Sequence, residues 1–225
     1  MTAPRVIVAL PAYNEDQYIA DIVHKVKKHT DTVVVVDDGS TDGTAWRATD
    51  AGAYLIQHTV NKGYGSAIQS ILTEVGATNF DVLVIIDADE QHSPDDIPAL
   101  VVAVLNGYDL AIGSRKGSDV PAYRRLGGTI LSIFTYFLSN RYVKDSQCGF
   151  RAYSKQAVDM IRLQETGMAV SSEIIYEATK HELRIVEVPI SVRYTDDSST
   201  HNPIKQGFYT LWRILVMMAK DEFRR

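Results

Sequence analysis

The chain has 225 residues, 45% of them hydrophobic and 23% charged, and its formal net charge is -5. These values are typical of a folded domain, and the lack of a basic tract argues against nucleic acid as a partner. The single cysteine, Cys148, excludes an internal disulfide, and with no secretory pattern and no apolar stretch of roughly 18 residues we expect a cytoplasmic protein.

The first half of the chain alternates between apolar runs and amphipathic segments. This pattern predicts strands at residues 5–10, 32–36, 54–58, 81–86 and 109–113, and helices at 16–29, 42–51, 63–76 and 94–105. Such alternation indicates an α/β fold in which helices flank a parallel sheet. After residue 121 the pattern is looser, and it predicts helices at 123–139, 155–162 and 171–181, a strand at 185–192 and a mobile polar loop at 196–203.

A pair of carboxylates follows the fourth predicted strand. Asp87 and Asp89 flank Ala88 directly after the apolar run at 82–86, and Gln91 comes two residues later. If the strand is buried and parallel, both carboxylates emerge at its C-terminal end, where open α/β sheets hold their ligands. Two hard oxygen ligands there suit Mg²⁺ or Mn²⁺ bound between protein and phosphates. An isolated triplet of this kind would more simply be two solvated aspartates in a turn.

The loops after the first two strands also carry polar groups. Tyr13 and Glu15 could stack on a ring and accept hydrogen bonds from a base or a sugar, although a helix start would explain them too. Asp37 and Asp38 could accept from ribose hydroxyls, as acidic residues do in dinucleotide-binding folds, although a tight turn is an equal explanation.

The loop after the third strand, Asn-Lys-Gly-Tyr-Gly at 61–65, opens a helix. Glycines there let the backbone approach a ligand, and Lys62 lies near a helix N-terminus that favours anions. The loop has neither the full glycine fingerprint of a Rossmann site nor a P-loop. Each of the four loops is ordinary alone, but together at one sheet edge they indicate a site for a nucleotide-sugar and a metal.

Several segments carry a resemblance to a known family. They are Pro-Ala-Tyr-Asn-Glu at 11–15, Val-Val-Asp-Asp-Gly-Ser-Thr-Asp-Gly-Thr at 35–44, Asn-Lys-Gly-Tyr-Gly at 61–65 and Asp-Ala-Asp-Glu-Gln-His at 87–92. In this order they resemble family 2 glycosyltransferases, and among these the dolichyl- or polyprenyl-phosphate mannose and glucose synthases. Ser-Gln-Cys-Gly-Phe-Arg at 146–151 and Val-Pro-Ile at 188–190, followed by Arg193, resemble further segments of that group.

The resemblance implies one GT-A domain over residues 1–225, with a nucleotide-binding half at 1–115 and an acceptor-side half at 116–225. It implies inverting transfer of mannose or glucose from a GDP- or UDP-sugar to a polyprenyl or dolichyl phosphate, with Mg²⁺ or Mn²⁺ as cofactor. By resemblance the nucleoside would be held by Pro11, Tyr13, Glu15, Val36 and Asp38. Metal and diphosphate would be surrounded by Asp87, Ala88, Asp89 and Gln91, with Arg193 neutralising the diphosphate charge. To these we add Lys62 and Gly63, from their place at a predicted helix N-terminus.

Asp89, Asp87 and Arg193 are thus the predicted catalytic residues, and Asp87, Asp89 and Gln91 the predicted metal ligands. One departure concerns the loop after Arg193, where family members carry a Lys in a Gly-x-Ser-Lys sequence. Here Thr200 or His201 stands in its place. The departure leaves open a nucleotide-sugar-binding protein that lacks catalysis.

The acceptor is open as well. A lipid phosphate is already ionised near pH 7, whereas a hydroxyl on a soluble or glycan acceptor would need a general base. Glu173 is the best candidate for that base, but a carboxylate favoured by a helix dipole is the preferred explanation of it. His92 is interpreted as a structural partner of the metal loop. A sugar-phosphate nucleotidyltransferase is disfavoured, because residues 11–15 contain no glycine-rich basic loop.

Two apolar stretches, at 126–138 and 207–219, are predicted to form amphipathic helices. They fit a lipid acceptor, because such helices can rest in the headgroup region at the cytoplasmic face of a membrane. Packing against the sheet or in a homodimer interface are the alternatives. The sequence does not identify the base, the sugar or the acceptor.

Overall fold

A computed structural model of the chain describes residues 3–115, 122–192 and 203–222. Within these ranges the chain forms seven strands and eight α-helices. The strands are β1 (Val6–Ala12), β2 (Thr32–Asp37), β3 (Tyr54–Gln57), β4 (Val82–Ile85), β5 (Leu110–Arg115), β6 (Arg151–Ser154) and β7 (Ile185–Ile190). The helices are α1 (Ile19–Val26), α2 (Thr44–Asp50), α3 (Tyr64–Gly76), α4 (Ile97–Leu105), α5 (Ala122–Ser139), α6 (Lys155–Met160), α7 (Val170–Lys180) and α8 (Pro203–Glu222).

The central strands form because their sequences are continuously apolar. β2 contains four consecutive valines, residues 33–36, and all four are buried, as expected of a strand that helices cover on both faces. α1 supplies part of that cover through a buried stripe at helical spacing, which consists of Ile19, Ile22, Val23 and Val26.

The seven strands form one sheet in the order β3-β2-β1-β4-β6-β5-β7. Neighbouring strands are parallel except around β6, which is antiparallel to both β4 and β5. The chain moves outward from β1 through β2 to β3 and then crosses back, so that β4 lies on the other side of β1. The carboxyl ends of β1 and β4 are therefore a topological switch point, where open α/β sheets bind ligands. The mostly parallel sheet predicted from the sequence is confirmed, and strands from both halves of the chain join it.

β6 is an element that we did not predict. Its sequence, Arg-Ala-Tyr-Ser, is short and begins with a charged residue, which is uncommon in a buried strand. In the structure Arg151 is 2% exposed, and its guanidinium donates to the backbone carbonyls of Ser146, Cys148 and Ser171. These carbonyls satisfy the buried donors, so the charged side chain is compatible with the interior position.

Some predicted bounds were wrong by a few residues. The helix predicted at 16–29 is shorter, because residues 16–18 lie in the turn that enters α1. The strand predicted at 185–192 ends at Ile190. The polar loop predicted at 196–203 lies outside the described residues up to its last position, Pro203, where α8 begins.

α5, α7 and α8 pack together beside the main core. Leu138, Ala169 and Ile214 are buried where these helices meet, and they form a second, smaller apolar cluster. The outer stripe of α8, spaced as one helix face, consists of the exposed side chains Phe208, Trp212 and Leu215. A comparable exposed stripe on α5 consists of Ile130, Ile133 and Phe137. None of the helices in the described part of the chain combines the length and apolar character that crossing a membrane requires.

Candidate active site

The loops after β1 and β4 meet at the switch point. Burial, followed by the charges of Asp89, Asp42 and Asp87, raises the pKa of Glu15 to about 7. A carboxylate raises the pKa of another carboxyl group only at short range, so Glu15 belongs to the same acidic group as the residues after β4. Its backbone N–H donates to Thr44 Oγ1 at 2.8 Å, which ties the loop after β1 to the start of α2.

Three contacts hold the carboxylate of Asp87. The hydroxyl of Tyr64 donates to its Oδ1 at 2.9 Å. The backbone of Gly149 lies so close that a Cβ there would be 2.6 Å from the Asp87 carboxyl carbon. His92 Nε2 lies 3.7 Å from Oδ2. The Tyr64 hydroxyl and the backbone of Gly149 therefore restrict the orientation of this side chain, and among the described residues no Lys or Arg forms an ion pair with it.

Gln91 holds the second carboxylate, Asp89. The backbone N–H of Gln91 donates to Oδ1 at 3.1 Å, and its side-chain amide donates to Oδ2 at 2.6 Å. Glu90, which lies between Asp89 and Gln91, has φ of 58°, a left-handed conformation that turns the chain sharply. Its carboxylate forms an ion pair with Lys25. Burial, and then the neighbouring Asp87, raise the pKa of Asp89 to about 7. The two carboxylates repel each other, and a bound cation would relieve that repulsion.

The donor set fits a hard divalent cation such as Mg²⁺ or Mn²⁺, since it consists of carboxylate oxygens. In the described ranges, no group of three or more His, Cys, Asp or Glu side chains is arranged to hold a metal ion. Asp87 and Asp89 would thus supply part of the coordination, with the rest left to water and phosphate oxygens, as is usual for Mg²⁺ in such sites. The amide of Gln91 orients Asp89, and its role as a third ligand stays a prediction.

Asp38 is 3% exposed, and protein groups occupy both of its carboxylate oxygens. Oδ1 contacts His58 Nδ1 at 2.6 Å and accepts from the backbone N–H of Lys62 at 2.9 Å. Oδ2 accepts from the backbone N–H of Gly63 at 2.8 Å. Asp38 therefore fastens the loop after β3 to the end of β2, while its predicted contact with a nucleoside stays a prediction.

Four backbone N–H groups at the start of α3 donate to protein acceptors, which disfavours the anion site expected there. Those of Lys62 and Gly63 donate to Asp38, and those of Gly65 and Ser66 donate to the carbonyl of Thr166 at 2.8 and 3.3 Å. The first amides of a helix need acceptors, and here the protein supplies them. A ligand contact at Lys62 or Gly63 stays a prediction, but it would have to use the Lys62 side chain or a rearranged loop.

The remaining predicted residues lie around this edge of the sheet. Pro11 and Val36 are partners in the register of β1 and β2, and both are buried. Tyr13 is exposed, whereas Ala88 is 3% exposed between the two carboxylates. Their contacts with a nucleoside stay predictions. The residues of the expected diphosphate clamp lie outside the described part of the chain, namely Arg193, Thr200 and His201.

Glu173 and Cys148 have structural surroundings. The carboxylate of Glu173 accepts from the backbone N–H groups of Gln164 and Glu165 at 2.9 to 3.1 Å, while burial raises its pKa. This carboxylate therefore caps backbone groups, which favours the structural explanation over a general base. Burial raises the pKa of the Cys148 thiol to about 12, which disfavours a nucleophile.

His92 is buried and packs against Phe150, with ring centroids 5.6 Å apart and ring planes tilted by 40°. Burial lowers its pKa, and within the described residues its Nδ1 has no hydrogen-bond partner. Its contact with Asp87 agrees with its interpretation as a partner of the metal loop.

Two residues of the site were missed from the sequence alone, namely Tyr64 and Gly149. Both lie inside segments that carried the resemblance, so the signal for their importance was present. Their partner Asp87 could not be inferred, because it is far from each along the chain and a single sequence gives no spatial pairing.

Comparisons with known proteins identify a family and several relatives that resemble this chain. Residues 7–161 match the family model described as Glycosyl transferase family 2. The chain is 31% identical to UDP-N-acetylglucosamine--dolichyl-phosphate N-acetylglucosaminyltransferase of Methanococcus voltae, over 94% of this chain and 95% of that protein. It is 34% identical to dolichol-phosphate mannosyltransferase of Pyrococcus furiosus, over 83% of this chain and 56% of that protein.

Among solved structures, the chain resembles glucosyl-3-phosphoglycerate synthase from Mycobacterium tuberculosis in complex with Mn²⁺, uridine diphosphate and glucosyl-3-phosphoglycerate. The TM-score is 0.73 at 22% identity, over 96% of this chain and 79% of that one. At this identity the likeness concerns the fold, and it confirms the GT-A type expected from the sequence.

Proposed function

The chain belongs to glycosyl transferase family 2, and from this premise we propose that it transfers a hexosyl group from a nucleoside diphosphate sugar to a polyprenyl or dolichyl phosphate. An oxygen of the lipid phosphate attacks C1 of the sugar from the face opposite the leaving group. The bond between C1 and the diphosphate oxygen breaks, and the nucleoside diphosphate leaves with that electron pair. The products are a polyprenyl or dolichyl glycosyl phosphate, with inverted configuration at C1 of the sugar, and the free nucleoside diphosphate.

The observation that carries the proposal is the pair Asp87 and Asp89 at the switch point. The two carboxylates are half-buried and mutually repelling, and the structure pairs neither with Lys or Arg in its described parts. Such a pair suits an ion shared with a diphosphate. When bound there, a divalent cation would neutralise the charge that develops on the leaving diphosphate.

The protein's own residues would prepare this site. Tyr64 and Gly149 hold Asp87 in one orientation, and Gln91 holds Asp89, so neither carboxylate must reorganise as the donor binds. Glu15 lies in the same acidic group, where it would accept hydrogen bonds from the donor. Its raised pKa indicates that the site, without a cation, favours a proton on this carboxyl group.

Three observations support a lipid phosphate as the acceptor. The best candidate for a general base, Glu173, accepts hydrogen bonds from backbone amides, and an ionised phosphate needs no base. In the exposed stripe of α8, Phe208 is 71% exposed and Trp212 is 63% exposed. Such aromatic side chains are typical of helices that rest in a membrane interface. The relatives from Methanococcus and Pyrococcus are both named for dolichyl-phosphate acceptors.

A transfer assay tests the proposal. The protein is incubated with Mn²⁺, with UDP- or GDP-linked mannose, glucose or N-acetylglucosamine, and with polyprenyl phosphate in detergent. Free polyprenol, which lacks the phosphate, is the matched control acceptor. We expect a glycosyl phosphate lipid by mass spectrometry for one donor, and none with polyprenol. Transfer only to hydroxyl acceptors would contradict the acceptor assignment, and donor binding without turnover under every condition would favour a non-catalytic binding protein.

A further inference from the structure

A short segment between α6 and α7, residues 164–167, contacts the start of α3. The carbonyl of Thr166 accepts from the backbone N–H groups of Gly65 at 2.8 Å and Ser66 at 3.3 Å. The carbonyl of Glu165 accepts from the side chain of Gln69, one turn further along α3, at 2.9 Å. The 164–167 segment thus caps the helix that carries Tyr64, the residue that orients Asp87.

The glycines of the Gly-Tyr-Gly sequence are explained by this packing. A Cβ on Gly63 would lie 2.5 Å from the carbonyl oxygen of Thr166. A Cβ on Gly65 would lie 2.7 Å from the carbonyl carbon of Thr166 and would overlap the carbonyl of Glu165. The two glycines therefore allow the close approach of a protein backbone, where the sequence had suggested a ligand.

The other side of the 164–167 segment is held by α7 and α8. Glu173 on α7 accepts from the backbone N–H groups of Gln164 and Glu165. The guanidinium of Arg213 on α8 donates to both carboxylate oxygens of Glu165, at 2.9 and 2.8 Å. Glu165 is 4% exposed, and among the described residues Arg213 is its charge partner. One turn earlier on α8, the ring of Tyr209 would lie 3.7 Å from a Cβ on Gly167.

We propose that Arg213 and Glu165 are positioning residues for the donor, because their ion pair holds the 164–167 segment against the start of α3. The proposal rests on the function proposed above. The connection runs from Arg213 through Glu165 and Thr166 to the turn at residues 62–66, which bears Tyr64 and is anchored on Asp38. By this route the C-terminal helix, which carries the exposed aromatic stripe, sets how well the donor site is organised.

Replacing Arg213 with alanine removes the charge partner of a buried carboxylate, so the 164–167 segment should shift and release the 62–66 turn. We expect KM for the nucleotide-sugar to rise about three- to tenfold, while KM for the lipid phosphate stays within about twofold. Arg213→Lys keeps the charge but loses the two-pronged contact, and should recover part of the donor affinity. Arg184→Ala is the matched control, because it breaks an arginine–carboxylate pair with Asp109 at the opposite edge of the sheet.

Amide hydrogen exchange on the protein without donor or metal provides a readout independent of activity. In Arg213→Ala the amide of Gly65, which donates to the carbonyl of Thr166, should exchange faster than in the wild type, whereas in Arg184→Ala it should not. Equilibrium binding of UDP and GDP in the presence of Mn²⁺ should weaken by the same factor as KM rises.

The outcomes separate the two proposals. If the wild type transfers no sugar to lipid phosphate, the function proposed above fails, while exchange and nucleotide binding still test the positioning role. Unchanged exchange at residues 62–66 together with unchanged nucleotide affinity in Arg213→Ala would overturn that role. A uniform loss of exchange protection throughout the molecule would also overturn it, since the ion pair would then only stabilise the fold. If Arg213→Ala folds poorly, Glu165→Gln, which keeps the shape of the side chain, serves as the test variant. It should show the same faster exchange and the same rise in KM for the nucleotide-sugar.

Discussion

Replacing Gly149 with alanine should disable the site while it leaves the fold largely intact. The new Cβ would lie 2.6 Å from the carboxyl carbon of Asp87, whereas non-bonded carbons pack about 3.5–4.0 Å apart. The obstacle is the end of a side chain, so Asp87 can relieve the overlap by moving about 1 Å. That movement gives up the 2.9 Å hydrogen bond from Tyr64. Gly149 is not among the residues with positive φ, so alanine adds no backbone strain there.

The magnitudes follow from these contacts. Losing a hydrogen bond to a charged group costs about 1.5–3 kcal/mol, and the lower entropy of the unfolded alanine chain offsets about 0.4–1 kcal/mol. We therefore expect the free energy of unfolding to fall by about 1–2 kcal/mol in a urea titration. Displacing a group that positions reactants by about 1 Å can cost roughly 100-fold in turnover. The Mn²⁺ concentration needed for half-maximal turnover should rise as well.

Gly127→Ala is the matched control for this substitution. A Cβ at Gly127, on α5, would meet nothing within 4 Å. Alanine in a helix should stabilise this variant by about 0.5–1 kcal/mol and leave turnover and metal dependence unchanged. If Gly149→Ala reaches half-maximal turnover at the same Mn²⁺ concentration as the wild type, then this glycine does not hold Asp87 in place.

Three further predictions concern Gly65, Cys148 and the exposed stripe of α8. Gly65→Ala should destabilise the fold by about 1–3 kcal/mol in a denaturant titration, because its Cβ would overlap rigid backbone; stability equal to the wild type would contradict the packing of residues 164–167 on α3. With its pKa raised to about 12, the Cys148 thiol should resist iodoacetamide at pH 8 until the protein unfolds, and fast alkylation of the native protein would show that this buried site opens. Phe208→Ser with Trp212→Ser should weaken flotation with anionic vesicles, whereas Trp46→Ser, another exposed aromatic, should not; equal flotation of both would contradict a role for the stripe on α8.

The features that the sequence could predict are those set by local pattern. Strands such as β2 are continuous apolar runs, and the order of strands and helices indicates where their carboxyl ends meet. From this, Asp87 and Asp89 were predicted to lie together at the sheet edge, and the structure brings them there beside Glu15. Local pattern sufficed because both carboxylates follow one strand directly.

The features that the sequence could not predict depend on contacts between distant residues. β6 begins with Arg151, whose burial is possible only because three backbone carbonyls surround it. The glycines at 63 and 65 suggested a ligand, but a backbone segment about 100 residues later fills that space. Tyr64 and Gly149 act on Asp87 from 23 and 62 residues away along the chain, and no local periodicity records such pairings.

In the proposed active site, Asp87 and Asp89 hold a divalent cation that also binds the donor diphosphate. Electron paramagnetic resonance of Mn²⁺ titrated into the protein, with and without UDP or GDP, measures this binding. Asp89→Asn, which keeps the size of the side chain, and Asp159→Asn, at an exposed position on α6, are the variant and its control. We expect nucleotide to strengthen Mn²⁺ binding in the wild type and in Asp159→Asn, and this effect to be lost in Asp89→Asn. Undiminished nucleotide-dependent Mn²⁺ binding in Asp89→Asn would contradict the claim.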